Sequence, residues 1–314
     1  MAKILVTGGA GFIGSNLCKH LAKKHQVTAF DNLSLGKKEN LNKTVKFVKG
    51  DVENRQDLDK LTSKYDYIVH LAGASCTFMF QEDLFGAMRN NILGFVNVLE
   101  YARKNKVKKV LFASTSSIYG DNPTPFTEDQ KVMPPNFYSV GKYAMETLAN
   151  VFNREYGTEI TAFRFMSVYG PKEEHKTRYA NLVSQFIWNI YTDKQPVFYG
   201  NGKQERDLTN VADVIAGIEL GISNKKKYGF TVFNIGSNKN YNLFEIIEQI
   251  NKRLGKNIKP KLIKSPLKWT ARKHLGSLAK IKRELGYKPS YSLEQGIDEI
   301  VKNLPKDKKK VPNV

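Results

Sequence analysis

Tyr138 and Lys142 stand four positions apart in the segment Tyr138-Ser139-Val140-Gly141-Lys142. In a helix this spacing places both side chains on one face, so the ammonium can lie beside the phenol. A tyrosine that acts as a base at neutral pH needs its pKa lowered by about three units from about 10. A nearby positive charge shifts the pKa in that direction. The pair therefore indicates a phenolate base that takes a proton from a substrate.

Four consecutive hydroxyl side chains, Ser114 to Ser117, follow the predicted strand Lys109–Ala113. They would lie at the carboxyl edge of a parallel sheet, where such sheets bind ligands. A polar loop that merely caps a strand has the same composition. The run becomes informative because Tyr138 and Lys142 follow about twenty residues later, and the combination predicts one catalytic centre.

A glycine-rich turn near the start of the chain indicates a second component of the site. The apolar run Lys3–Thr7 is typical of a buried parallel strand, and Phe12–Lys24 is typical of a helix. Gly8, Gly11 and Gly14 lie where the chain must turn tightly, approach a pyrophosphate and pack the helix against the sheet. The first-turn amides of such a helix and its dipole favour phosphate groups. The pattern predicts a dinucleotide site.

Asp31 ends the next predicted strand, Gln26–Phe30, 17 residues after Gly14. A carboxylate at this place accepts both ribose hydroxyls of an adenosine and repels a 2′-phosphate, which favours NAD over NADP. Lys37 and Lys38 nearby keep NADP open as an alternative. The positive nicotinamide ring and Lys142 together could then lower the pKa of Tyr138.

Strands and helices alternate along the first 170 residues, which predicts an α/β fold with a doubly wound parallel sheet of the Rossmann type. The predicted strands are Lys3–Thr7, Gln26–Phe30, Val45–Val48, Tyr67–Leu71, Lys109–Ala113 and Ile160–Phe165, and the helices are Phe12–Lys24, Arg55–Ser63, Leu84–Lys104 and Tyr138–Tyr156. We predict a dinucleotide-binding domain over 1–170, to which later segments can return. We predict that residues 171–304 form mostly a smaller mixed α/β substrate-binding cap, with short strands at Val197–Tyr199 and Val232–Ile235, and that 305–314 form a basic tail.

The composition restricts the partners. The 314 residues carry a formal charge of +20, but the lysines are spread along the chain and no nucleic-acid recognition motif frames them. We therefore expect no nucleic-acid partner, and the charge would instead speed the capture of anionic substrates. No apolar stretch approaches the roughly 20 residues that span a bilayer, so no membrane partner is expected.

Cysteine and histidine usage predicts a reduced, cytoplasmic protein without a metal site. Cys18 and Cys76 lack metal-ligand spacing, and the five histidines form no H-x-x-x-H pair. The first predicted strand begins at Lys3, which leaves no room for a signal peptide ahead of it.

Taken together, these motifs resemble the extended short-chain dehydrogenases/reductases that act on nucleotide-activated sugars, and the resemblance covers nearly the whole chain. It is closest to the UDP-glucose 4-epimerases. Besides the glycine turn and the Ser/Thr–Tyr–Lys set, it is carried by the segments Gly50–Val52, His70–Gly73, Asn91 to Glu100, Arg164–Pro171, Gln204–Asp207, Asn234–Gly236 and Arg283–Tyr287.

The resemblance implies roles for individual residues. Thr115, Tyr138 and Lys142 would be catalytic. NAD would be bound by Gly8, Gly11, Phe12, Ile13, Gly14, Asp31, Asn32, Asp51, Val52, Leu71, Ala72, Asn91, Ser114, Tyr138 and Lys142. A UDP-sugar would be bound by Thr115, Ser116, Ser117, Tyr138, Ser167, Arg206 and Arg272. Arg206 would hold the diphosphate, and the contact assigned to Arg272 falls alternatively on Lys268.

Three positions narrow the reaction that the resemblance implies. Dehydratases of this group place an Asp-Glu pair directly after the catalytic threonine, and decarboxylases keep a glutamate at the second of these positions. Here both are serines, Ser116 and Ser117. The simplest remaining reaction is epimerisation at carbon 4 through a transient 4-keto sugar. Ser167 replaces the asparagine usual in galactose-type enzymes and is chemically closer to the threonine of glucuronate-type enzymes.

We therefore predict an NAD-dependent 4-epimerase for UDP-glucose and UDP-galactose. The alternatives are a UDP-glucuronate 4-epimerase, a net dehydrogenase or reductase that accumulates reduced cofactor, and a non-catalytic dinucleotide sensor. The resemblance also implies a homodimer that associates through a four-helix bundle. Each chain would contribute the helix that begins near Tyr138 and the helix Leu84–Lys104.

Overall fold

The computed structural model describes residues 1–265 and 272–314. The first half of the chain forms β1 (Lys3–Thr7), α1 (Phe12–Leu21), β2 (Gln26–Asp31), β3 (Lys46–Lys49), α2 (Arg55–Asp59), β4 (Tyr67–His70), α3 (Thr77–Glu82), α4 (Leu84–Lys104), β5 (Lys109–Thr115), α5 (Phe137–Tyr156) and β6 (Ile160–Phe165). The second half forms β7 (Ser167–Tyr169), α6 (Leu182–Tyr191), β8 (Val197–Tyr199), β9 (Glu205–Asn210), α7 (Val211–Ser223), β10 (Phe230–Ile235), β11 (Asn240–Asn242), α8 (Leu243–Leu254), β12 (Lys261–Ile263), α9 (Ala279–Leu285) and α10 (Leu293–Lys302).

Seven parallel strands form the central sheet in the order β3-β2-β1-β4-β5-β6-β10. The predicted doubly wound fold is confirmed. The interiors of β1, β2, β5 and β6 are buried because helices cover both faces of the sheet. One apolar cluster joins the sheet to α1, α7 and α9, and another joins it to α2, α4 and α5.

The strand β10 belongs to this sheet although it lies far beyond residue 170. It pairs with β6 over its full length, from Phe230 opposite Ile160 to Ile235 opposite Phe165. The sequence predicted a strand here but assigned it to the region of the cap. The place of β10 in the large sheet is determined by its pairing with β6, and the sequence of β10 alone does not indicate that partner. The predicted division of the chain at residue 170 stays a prediction.

Two small sheets stand beyond the carboxyl edge of the large one. In the first, β9 pairs in parallel with β7 and antiparallel with β11; in the second, β8 pairs with β12. A third apolar cluster packs α6, α8 and α10 together beneath them. This arrangement carries β9 and the segment after residue 272 over the ends of β1, β4 and β5. Within the described residues, no helix is long and apolar enough to cross a membrane.

Candidate active site

A cavity of about 730 Å³ lies between the carboxyl edge of the large sheet and the small sheets. It extends from the glycine turn after β1, past the ends of β4 and β5 and the start of α5, to β7 and β9. Nearly all the residues predicted to bind cofactor or substrate line it. They are Gly8, Gly11, Phe12, Ile13, Gly14, Asp31, Asn32, Asp51, Val52, Leu71, Ala72, Ser114, Thr115, Ser116, Ser117, Tyr138, Lys142, Ser167 and Arg206.

The glycine turn has little room for side chains on its protein side. A Cβ on Gly8 would lie 2.6 Å from the Ala72 nitrogen, and one on Gly14 would lie 2.1 Å from the Gly8 carbonyl oxygen. Gly8 also has φ +69°, a conformation that glycine adopts without steric cost. Around Gly11, by contrast, only the Gly8 oxygen comes within 4 Å. The turn is therefore closed against the sheet and open toward the cavity at Gly11.

Asp31 lies at the end of β2 with both carboxylate oxygens bound to backbone amides. Its Oδ2 accepts from the Ala10 nitrogen at 2.9 Å, and its Oδ1 accepts from the Leu33 nitrogen at 2.8 Å. Burial raises the pKa of Asp31, and these amide hydrogen bonds oppose that effect. Next to it, the Asn32 side chain donates to Asp51 Oδ2 at 2.9 Å. The two acidic residues thus form a polar rim that is already oriented by backbone and side-chain donors.

Thr115, Tyr138 and Lys142 meet at the centre of the cavity. Thr115 is the last residue of β5, and its side chain hydrogen-bonds the Tyr138 hydroxyl. Tyr138 lies in the first turn of α5, which begins with a capping box between Asn136 and Ser139. The cap fixes where the helix begins and therefore which residues of its first turn face β5.

Burial is the largest influence on the pKa of Tyr138 in the protein alone. Burial raises it to about 12, an effect that the hydrogen bond with Thr115 opposes. The Lys142 ammonium donates to the Ala113 carbonyl at 3.1 Å, and burial lowers the pKa of Lys142 to about 8. The expectation that Lys142 and the positive nicotinamide ring together lower the phenol pKa concerns the NAD-bound protein and stays a prediction.

Ser114 is tied to a buried ion pair behind the catalytic residues. Its hydroxyl donates to Glu146 Oε1 at 2.5 Å, and the Arg164 guanidinium binds the same carboxylate at 3.0 and 2.7 Å. Glu146 stands four residues after Lys142 on α5, and Arg164 lies on β6. The pair connects α5, β5 and β6 directly beside Thr115, so it positions the strand end that carries the predicted catalytic hydroxyl.

The predicted substrate residues reach the cavity from the end of β5 and from the small sheet that contains β7 and β9. Ser116 and Ser117 follow Thr115, and the Ser117 nitrogen donates to Thr115 Oγ1 at 3.1 Å. Ser167 starts β7, and its hydroxyl oxygen accepts from the Asn181 side chain at 2.9 Å. Arg206 on β9 donates to the Glu205 carbonyl at 2.8 Å, and burial lowers its pKa to about 10. No described carboxylate pairs with Arg206, so its charge is available to an anionic ligand.

Two predicted contacts, Asn91 and Arg272, are not among the residues that line the cavity. Asn91 is buried behind the loop after β4, where its side chain donates to the Ala74 carbonyl at 3.1 Å, and it does not line the cavity. A Cβ on Gly73 would lie 2.6 Å from the Asn91 Oδ1. Arg272 is exposed and is likewise absent from the lining. The alternative, Lys268, lies outside the described residues.

The structure brings residues to the cavity that the sequence analysis did not identify. His175, Lys176 and Tyr179 come from the short helical segment Glu174–Tyr179, and His274 comes from the chain beside β9. Lys176 pairs with the buried Glu173 at 3.0 Å. Both stretches are rich in charged residues and resemble solvated loops in sequence, so no local pattern indicates their place in the site.

Comparison with known proteins gives matches along nearly the full chain. A sequence profile of the NAD-dependent epimerase/dehydratase family matches residues 4–236. The chain is 32% identical to the UDP-glucuronate 4-epimerase of Thermodesulfobacterium geofontis over 323 aligned residues, which cover 96% of this chain and 95% of that protein.

Two solved structures are also similar. The UDP-glucose 4-epimerase of Thermotoga maritima, crystallised with UDP-glucose, has a TM-score of 0.90 and 32% identity, with 96% of this chain and 97% of that chain covered. The UDP-glucuronic acid 4-epimerase of Bacillus cereus, in complex with UDP-glucuronic acid and NAD, has a TM-score of 0.87 and 30% identity, with 96% and 98% covered. The similarity therefore includes both the large sheet and the region that covers it.

Proposed function

Because the chain belongs to the NAD-dependent epimerase/dehydratase family, we propose that it interconverts UDP-glucose and UDP-galactose by inverting carbon 4 through a transient 4-keto sugar. The observation that carries this proposal is the convergence of Thr115, Tyr138 and Lys142 in the same cavity as the glycine turn. Ser116 and Ser117 support it, because they provide neither the acid–base pair that an elimination needs nor the glutamate of the decarboxylases.

The described residues fit NAD. The turn is open at Gly11, the first amides of α1 stand beside that opening, and the Asp31 carboxylate lies at the end of β2. When bound, NAD supplies reversible hydride transfer. The Lys142 ammonium is held in place by the Ala113 carbonyl, close to where β5 enters the cavity.

The side chains of the site then have separate tasks. As a phenolate, Tyr138 takes the proton from the 4-hydroxyl of the sugar and later returns it; the Lys142 ammonium and the positive nicotinamide ring would together lower its pKa from the value that burial imposes. Thr115 bonds the reacting oxygen and orients that proton. Arg206 binds the diphosphate through its guanidinium fork. Inversion requires that the 4-keto sugar turn over between the oxidation and the reduction at carbon 4, while the diphosphate stays bound. Because Arg206 holds the diphosphate and not the sugar ring, the ring can turn about its bond to the phosphate.

The charges in the cavity favour a neutral sugar. Among the described lining residues, Arg89 is paired with Glu53 and Lys176 is paired with Glu173. Arg206 and Lys142 have no carboxylate partner among the described residues; the diphosphate uses Arg206, and Lys142 already donates to the Ala113 carbonyl. A buried carboxylate on the sugar would therefore have to be satisfied by hydroxyl donors, and leaving a charge unpaired in a closed site is costly.

The second candidate is a UDP-glucuronate 4-epimerase. It is favoured by the three hydroxyls of Ser116, Ser117 and Ser167, which all line the cavity. Ser167 Oγ accepts from Asn181, so its own proton is free to be donated to a carboxylate.

The test is incubation of the purified protein, with no added cofactor, with UDP-glucose, UDP-N-acetylglucosamine and UDP-glucuronate, with products resolved by NMR. We expect UDP-galactose from UDP-glucose, and we expect acid denaturation of the same sample to release NAD. A kcat/KM for UDP-glucuronate tenfold higher than that for UDP-glucose would make the UDP-glucuronate 4-epimerase the first candidate and the UDP-glucose 4-epimerase the second. Accumulation of NADH with net oxidation of the sugar would instead indicate a dehydrogenase.

The homodimer is proposed on the exposed side of α4 and α5, which pack against each other. These two helices expose large apolar side chains, namely Leu84, Phe85, Leu93, Phe137, Val140, Tyr143, Val151 and Tyr156. Apolar patches of this kind mark interaction surfaces. A second copy fits because the α4–α5 pairs of two chains related by a twofold axis make a self-complementary four-helix bundle.

Phe85→Lys is expected to convert a dimer into a monomer in light scattering, because it places a charge within the apolar contact. Phe85 is 75% exposed in the single chain, so the substitution leaves the monomer fold intact. The matched control is Phe244→Lys on α8, where the phenylalanine is also exposed but lies away from α4 and α5. A monomeric wild type, or a dimer that survives Phe85→Lys, would contradict the proposed interface.

A further inference from the structure

His274 is held in place in the lining of the cavity, on the segment that runs beside β9. Its backbone nitrogen donates to the Glu205 carbonyl at 3.1 Å, and its carbonyl accepts from the Asp207 nitrogen at 3.0 Å. Its ring packs edge-on against Phe126, with ring centroids 5.5 Å apart. The side chain is only 7% exposed and lines the cavity. The position of the imidazole is therefore fixed by β9 and Phe126.

The two ring nitrogens of His274 are in different situations. Nδ1 lies 3.4 Å from the hydroxyl oxygen of Ser116, the residue that directly follows Thr115. Nε2 is buried and has no hydrogen-bonding partner among the described residues. Buried polar atoms are almost always hydrogen-bonded, and leaving one unpaired is unfavourable. A ligand in the cavity that His274 lines would supply the missing partner.

The imidazole is neutral at physiological pH. Burial and the nearby Arg206 charge lower the pKa of His274 to about 3. A neutral imidazole has one N–H donor and one acceptor nitrogen. If Ser116 donates to Nδ1, the pair offers an N–H at Nε2 and a lone pair on Ser116. If Nδ1 donates to Ser116, the pair offers the Ser116 proton and a lone pair at Nε2. In both tautomers the pair presents one donor and one acceptor.

We propose that His274 and Ser116 act as one hydrogen-bonding pair of the sugar subsite and select hydroxyl groups over a carboxylate. This inference rests on the proposed function, since it names the feature that would favour a hexose. Sugar hydroxyls donate and accept, so they match a wall that offers one donor and one acceptor. A carboxylate only accepts, so it would face a lone pair of the wall in either tautomer. His274 is thus a specificity-determining residue.

The experiment compares kcat/KM for UDP-glucose and UDP-glucuronate in the wild type, His274→Phe and His274→Gln. Phenylalanine keeps the ring against Phe126 but removes both nitrogens. We expect it to lower kcat/KM for UDP-glucose about fivefold to tenfold, mainly through KM, and to reduce the preference over UDP-glucuronate by a similar factor. Glutamine carries one donor and one acceptor, and it is expected to restore most of the preference.

The matched control is His175→Phe, since His175 lines the same cavity but contacts Asn40 rather than Ser116. It should leave the ratio of the two kcat/KM values unchanged. Ser116→Ala should reduce the preference as His274→Phe does, and the double variant should add little to either one. NAD content and melting temperature show whether each variant is folded.

The outcomes separate the two proposals. A wild type that prefers UDP-glucuronate overturns both the hexose assignment and the selective role of His274. A wild type that prefers UDP-glucose, with the same ratio in His274→Phe, overturns the role of His274 alone. If His274→Phe does not fold, an unchanged ratio in Ser116→Ala overturns the proposed pair equally.

Discussion

Tyr138→Phe is expected to lower kcat by about a hundredfold or more while the protein still contains NAD. The substitution removes only the hydroxyl that exchanges the proton with the 4-hydroxyl of the sugar, and general acid–base groups typically contribute 10²–10⁴ in rate. The ring remains against Phe80, whose centroid lies 5.8 Å away, so the packing at the start of α5 is retained. Turnover by NMR and nucleotide release on acid denaturation measure the two quantities separately.

Two further variants measure the separate contributions of Thr115 and Lys142 to rate and to NAD binding. Thr115→Val should cost less rate than Tyr138→Phe, because Thr115 orients the proton and the phenol accepts it. Lys142→Ala should impair both rate and NAD content. The control is Tyr156→Phe at the exposed end of the same helix, which should leave kcat unchanged. Unchanged turnover in Tyr138→Phe would refute the catalytic assignment.

Glu146→Ala is expected to lower the free energy of unfolding by about 3–5 kcal/mol, because removing one partner of a buried ion pair leaves the other charge unpaired. The side chains of Glu146 and Arg164 are only 4% and 5% exposed. The same change removes the acceptor of the Ser114 hydroxyl. Equilibrium denaturation measures the loss, and at temperatures where the variant is folded its kcat should also fall.

The control for this prediction is Glu100→Ala. Glu100 pairs with Arg103 on the solvent side of α4, where water screens the charges, so a much smaller change is expected. The double replacement Glu146→Leu with Arg164→Met should regain part of the stability of Glu146→Ala, since no unpaired charge remains. It should not regain activity, because the strand end at Ser114 stays unsupported. Equal stability losses at Glu146 and Glu100 would contradict the argument.

Most of the large sheet could be predicted from the sequence because its signals are local. A buried parallel strand such as β1 is a short apolar run, and the glycines after it meet steric demands at single positions. The Tyr138–Lys142 spacing likewise encodes a shared helix face. The cofactor turn and the fold class therefore followed from neighbouring residues, and the fold and the family are confirmed; the catalytic roles of Thr115, Tyr138 and Lys142 stay predictions.

The ends of helices and the shortest strands and helices were predicted less well from the sequence. The predicted helix Arg55–Ser63 ends at Asp59, and β7, β9, β11 and α3 were not predicted. β7 and β11 have three residues each, which is too short for a periodic pattern to emerge. Their hydrogen-bonding partners lie far away in the chain, so pairing rather than propensity determines them.

Residue types and spacing by themselves determined the dinucleotide turn, the Tyr138–Lys142 pair on one helix face and the alternation of strands and helices, since each depends on residues close together in the chain. The tertiary structure alone decided that β10 completes the sheet, that Asn91 supports a loop behind the cavity, and that His274 reaches Ser116. It also decided that the Lys142 ammonium binds the Ala113 carbonyl and that Tyr138 has a raised pKa. These features depend on burial and on partners distant in sequence, and both arise only when the chain is folded.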